Sequence, residues 1–106
     1  MTWVMIQYME AAWFRDVQEE PYPDAIMELN GERFYWEMDT GSMSIPRMRS
    51  RFEHYRSYPD QVLVVCLSDI RIRNLMPLTK GMNVKLTTLD RIMGEDETEW
   101  FQYSGK

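Results

Sequence analysis

Residues 23–39 read PDAIMELNGERFYWEMD, and the middle of that stretch decides how the chain folds. Asn30-Gly31 supplies two residues that adopt positive φ cheaply, which a two-residue type I′ hairpin turn demands. Asp24–Leu29 is therefore expected to form one strand and Glu32–Met38 its antiparallel partner. With Leu29 and Glu32 flanking the turn, residue 24 falls opposite residue 37. Asp24 and Glu37 are thereby predicted to be cross-strand neighbours, with Cβ atoms about 5 Å apart. Like charges so placed destabilise a hairpin, and a metal cation or an arginine is the natural group to offset them. The plainer alternative is an acidic, solvent-facing hairpin end in which Asp24 caps a turn. Phe34 and Trp36 share one face of the second strand, and Tyr35 and Glu37 share the other.

Outward from the hairpin, Ser44-Ile45-Pro46 combines a hydroxyl cap with a proline in the first turn and predicts a helix start. Met48, Phe52 and Tyr55 then recur at helical spacing and should face the core, with Arg47, Arg51, His54 and Tyr58 on the adjacent stripe. Pro59-Asp60 ends that helix. Gln61–Leu67 is too apolar to have a wet face, which predicts a central strand. Ser68 caps a second helix through Met76, and Pro77 closes it. Val84–Thr87 reads as a further strand, and Thr88 caps a short helix, Leu89–Met93, with Gly94 as its stop. Residues 2–14 fit either a helical face (Trp3, Ile6, Trp13) or a strand (Val4, Ile6, Tyr8). The tail aromatics Trp100, Phe101 and Tyr103 are expected to pack back on the body. This order of elements predicts an α/β layer fold with a mixed sheet.

At 106 residues the chain has the size of one domain, 1–106, and its 44% apolar content is that of a globular protein. Ten methionines are many for this length; they fill gaps in a small core or form a deformable partner-binding surface. One cysteine excludes an internal disulfide and a multi-cysteine zinc site, and one histidine excludes His-pair metal motifs. Cys66, inside an apolar run, reads as a small core residue. No apolar run reaches the roughly 18 residues of a membrane span, so no membrane partner and a cytoplasmic setting are expected. The net charge of −5 argues against non-specific DNA coating. Yet Arg47, Arg49, Arg51 and Arg56 fall in a decapeptide whose only acid is Glu53. They form a solvated helix face, a track for phosphates beside the carboxylates, or a protein-binding face. Magnesium usually takes one or two protein carboxylates plus waters and phosphate, which Asp24 and Glu37 supply.

Three short motifs in order add a resemblance: Pro23-Asp24, then Glu37-X-Asp39-Thr40-Gly41, then Arg51-Phe52-X-X-Tyr55 one helix later. Together they resemble the C-terminal domain of the replication-relaxation proteins of plasmids and integrative elements in Gram-positive bacteria. The likeness continues in Val62–Leu67, Arg71, Leu86-Thr87-Thr88-Leu89 and Trp100, across roughly residues 13–100. It implies a restriction-endonuclease-like (PD-(D/E)XK) fold, a mixed sheet flanked by helices. It further implies that Asp24 and Glu37 ligate magnesium or manganese, and that Asp24, Glu37, Asp39 and Arg51 mark the catalytic positions. Arg47, Arg49, Arg51 and Arg56 would then contact DNA. Asp39 departs from the pattern, because a lysine normally stands there. Arg51, on the following helix, is the residue that could replace it, as a phosphate clamp and not as a general base. Two functions are therefore expected. One is a metal-dependent nuclease-like domain acting on DNA in the replication or transfer of a mobile genetic element, plasmid or phage. The other is a non-catalytic regulator or inhibitor that binds a protein, such as a relaxase, a replication initiator or a host-defence nuclease.

Overall fold

Asn30 at φ 53° and Gly31 at φ 80° close the hairpin in the left-handed backbone region, which Asn tolerates and Gly, lacking a Cβ, enters freely. The computed structural model describes Tyr8, residues 11–15, Gln18, and residues 20–94 and 97–104. Strand β2 spans Ala25–Leu29 and β3 spans Glu32–Asp39. Their pairs run from Leu29↔Glu32 to Ala25↔Trp36, the register that the turn predicts. Asp24 extends the ladder by one step, donating its N–H to the Trp36 carbonyl at 3.0 Å. Ahead of them, β1 (Ala12–Arg15) pairs antiparallel with β2. The rest of the ambiguous N-terminal stretch, apart from Tyr8 and Ala11, lies outside the described residues.

Three hydroxyl caps then start three helices. Ser44 Oγ accepts from the Arg47 N–H ahead of α1 (Ile45–Tyr55), which carries Pro46 in its first turn. Ser68 does the same for α2 (Asp69–Leu75), which tightens into a 3₁₀ turn at Met76–Thr79. Thr88 caps α3 (Leu89–Met93). Between these helices, β4 (Gln61–Cys66) lies parallel to β3, and β5 (Val84–Thr88) lies parallel to β4. The sheet order is β1-β2-β3-β4-β5, an antiparallel meander continued by a parallel trio. The architecture is thus α/β, a five-stranded mixed sheet flanked by helices.

Alternation along β3 divides its side chains between two cores. Tyr35 joins Val62, Val64, Cys66, Val84 and Leu86 under Met48, Phe52 and Tyr55 of α1 and Ile72 and Leu75 of α2. Trp36 faces the other way, with Met27, Leu63, Val65 and Ile92 of α3. Covered on both faces, β4 has every residue from Val62 to Cys66 buried, which is why it reads as one apolar run. The tail does pack back. Trp100 meets Trp36 edge-on at 5.8 Å, and Phe101 exchanges two backbone hydrogen bonds with Leu86 at 2.8 and 2.7 Å. Met27 and Met48 are buried, and Met38, Met43, Met76 and Met82 pack against the cores as gap-fillers. Among the described residues, no helix is long and apolar enough to cross a membrane.

Candidate functional site

The hairpin register brings Asp24 and Glu37 to the same end of the meander. Asp24 is exposed, and its Oδ2 accepts the Met38 N–H at 2.7 Å. Glu37 is 8% exposed and faces α1. Arg51 and Tyr55, one helical turn apart on α1, both reach it. The Arg51 guanidinium bonds Glu37 Oε1, the Tyr22 carbonyl, the Pro21 carbonyl (2.6 Å) and Tyr55 Oη (3.2 Å). Its carbon also stands 5.3 Å from the centre of the Tyr55 ring. Tyr55 Oη donates to the same Glu37 oxygen. Of the two groups expected to offset the acidic pair, the structure supplies the arginine.

Burial pushes the Glu37 carboxyl up to about 7; Arg51 and the Tyr55 hydrogen bond oppose that rise, and the charge of Asp24 adds to it. The Tyr55 phenol is raised by burial and then by the Glu37 carboxylate, so it stays protonated and remains a donor.

Two residues along β3, Asp39 belongs to a separate pair. Arg71 of α2 grips it with Nε to Oδ2 at 2.6 Å and Nη2 to Oδ1 at 3.0 Å, and Nη2 also reaches the Met43 carbonyl at 2.7 Å. The Asp39 side chain is 2% exposed. Beside it, burial lifts the Cys66 thiol to about 12, with the charge of Asp39 adding to the rise. Cys66 is therefore an inert core thiol. Between the two ion pairs lies a recess of about 80 Å³ that reaches Thr40, Ser42 and Met48.

The four arginines of residues 47–56 do not share one role. Arg51 is turned inward, and Arg56 is held by Glu53 at 2.9 and 3.1 Å. Arg47 and Arg49 are exposed and make no ion pair among the described residues. The structure thus joins Asp24, Glu37 and Arg51 at one corner, and leaves Asp39 with Arg71. The parts played by Tyr55 and Arg71 were not legible as roles in the sequence. The spacing of Arg51 and Tyr55 was the available signal for the first, and the burial of Asp39 demands a partner such as the second.

A divalent ion needs carboxylate oxygens that face it freely. Here Glu37 Oε1 is taken by Arg51 and Tyr55, Asp24 Oδ2 by a backbone N–H, and both oxygens of Asp39 by Arg71. No group of three Asp, Glu, His or Cys side chains among the described residues is arranged to hold a metal. Glu37 Oε2 and Asp24 Oδ1 accept no hydrogen bond among the described residues, so each of these two carboxylates keeps one free oxygen. The cation at Glu37 is a guanidinium. Compared with known proteins, the chain matches no family model, no curated protein and no solved structure.

Proposed function

We propose that this chain is a restriction-endonuclease-like domain of a mobile genetic element, acting on DNA during replication or transfer, with a degenerate active site. The observation that carries this reading is Arg51: the helix after the acidic hairpin delivers a cation directly to Glu37. A basic group moved to the next helix is what the resemblance implies once Asp39 replaces the lysine. Degeneracy follows from the chemistry of the same corner. An arginine cannot accept a proton from water, and one of the two Glu37 oxygens, Oε1, already receives hydrogen bonds from Arg51 and Tyr55. What remains is binding. Arg47 and Arg49, exposed on α1 and without ion pairs among the described residues, are the groups available to phosphates. Fluorescence anisotropy with single- and double-stranded oligonucleotides tests this. Arg47→Glu and Arg49→Glu should weaken binding uniformly across sequences and lower the salt slope by about 1 each. Supercoiled plasmid should stay intact with magnesium or manganese. Absence of binding at low salt would refute the DNA reading, and plasmid nicking would refute the degeneracy.

A different surface favours a protein-binding regulator. A groove of about 580 Å³ is lined by Ile72, Met76, Pro77 and Phe101 together with Asp69, Arg73 and Arg91, and Arg91 is held by Asp69 at 2.5 Å. Ile70, on the same helix, is 64% exposed. An open, mostly apolar groove in which Arg73 makes no ion pair among the described residues suits an apolar anchor next to a carboxylate better than it suits a phosphate backbone. If the domain is a regulator, Ile70→Asp and Arg73→Glu abolish co-purification with the element's own relaxase or replication initiator, while Asp24→Ala leaves it intact. The reverse pattern would return the function to the acidic corner.

A further inference from the structure

Arg91 ties three parts of the chain together. It bonds Asp69 of α2 at 2.5 Å, Thr88 Oγ1 of its own helix cap at 3.1 Å and Glu99 of the tail at 3.4 Å. Its guanidinium carbon also stands 4.9 Å from the centre of the Phe101 ring. The tail has fixings of its own: the Phe101–Leu86 backbone pair, and Thr87 Oγ1, which donates to the Glu99 carbonyl at 2.7 Å. The wall that Phe101 gives the groove beside α2 is therefore in place before anything binds, and a preformed site spares a ligand the cost of ordering it.

The open surface does not end at that groove. A second hollow of about 410 Å³, lined by Leu67, Ser68, Thr88 and Asp90, shares Asp69 and Arg91 with it, so the ion pair stands between the two. Leu67 is 55% exposed and Ile70 64%. Two open hollows on either side of one ion pair suit a chain segment that places an apolar side chain in each better than they suit one compact ligand.

Charge gives that segment a direction. Asp69 and Glu99 already engage Arg91. Arg73, exposed one helical turn from Asp69, lines the larger hollow, and Asp90, also exposed, lines the smaller. Neither makes an ion pair among the described residues. A carboxylate complements the first and an ammonium or guanidinium the second.

We propose that this surface docks a linear segment of a partner protein bearing two apolar side chains, with Asp or Glu beside the one in the larger hollow and Lys or Arg beside the other. This rests on the protein-binding reading of the groove and adds the chemistry and direction of the segment that fits it.

A displayed library of random dodecapeptides is selected on the full wild-type chain, and enriched peptides are synthesised and titrated by fluorescence anisotropy. They should carry two apolar residues, an acid beside one and a base beside the other, and bind with roughly micromolar affinity. Arg73→Gln should weaken them about tenfold. Selection on Arg73→Glu should exchange the acid for Lys or Arg, and selection on Asp90→Lys should exchange the base for Asp or Glu. Arg15→Glu, on the opposite edge strand, should change nothing. No enrichment, enrichment without the acid, or affinities that Arg73→Glu leaves unaltered would overturn the inference. Co-purification of the relaxase or initiator is read separately. If it succeeds while selected peptides lack the acid, the regulator reading stands and the proposed segment falls; the opposite pair of results keeps the segment and removes those two partners.

Discussion

Arg51 and Glu37 carry the chemistry of the corner, and single substitutions separate their contributions. Arg51→Ala removes the cation that opposes the rise of the Glu37 carboxyl and leaves the Pro21 and Tyr22 carbonyls without their donor, so it is predicted to destabilise by about 3 kcal/mol in urea unfolding, with the carboxyl protonated at neutral pH. Arg51→Lys should recover only part of that loss, because an ammonium cannot span the Pro21 carbonyl and Glu37 as the planar fork does. Glu37 adds a pH signature. Its folded-state value of about 7 lies above the ordinary 4.5, so between those values the folded chain holds a proton that the unfolded chain has released. Its contribution to stability is fully present below about pH 4.5 and is lost as pH rises through about 7. Asp24, Arg51 and Tyr55 are the charged or titratable groups acting on it. Stability curves of wild type and Glu37→Gln should therefore diverge in slope across that window, by up to about 3 kcal/mol in total. Parallel curves would contradict the raised value. At Asp39, restoring the lysine of the implied motif should fail. Asp39→Lys sets an ammonium against the Arg71 guanidinium in a buried site, and a loss of more than about 3 kcal/mol is expected unless Arg71 is changed with it.

At the scale of elements, what could be read in advance was what local chemistry dictates. Asn30-Gly31 set the hairpin register, Ser44, Ser68 and Thr88 set three helix starts, and Val62–Cys66 announced a strand covered on both faces. Each cap is a single hydrogen bond with a measurable worth. Ser44→Ala and Ser68→Ala should each destabilise by about 1 kcal/mol in chemical unfolding, and a loss near zero at either would mean that the helix is held by packing alone. What could not be read was pairing across the sheet. Asp39 and Arg71 are 32 residues apart, and no periodicity links them. The basic helix misleads for the same reason. Arg47, Arg51 and Arg56 look alike as charges, yet only Arg51 lies where α1 passes Glu37 and the Pro21–Tyr22 backbone, so only it turns inward.

Across the whole molecule, the two functional candidates occupy different places. The acidic corner lies where the hairpin meets α1, whereas the apolar groove lies between α2 and the tail segment that carries Phe101. One domain can therefore hold an ion-paired corner and present an open apolar surface elsewhere. The overall charge of −5 weighs against broad electrostatic capture of DNA and leaves Arg47 and Arg49 as a local exception. The central question is whether the corner is a metal centre or an ion pair closed by Arg51. Manganese titration of the wild-type protein, read as paramagnetic broadening in the ¹H–¹⁵N spectrum, addresses it most directly. With Arg51 in place, no selective broadening is expected at Trp36, Glu37 and Met38. Saturable broadening of those three amides, abolished by Glu37→Gln, would contradict it.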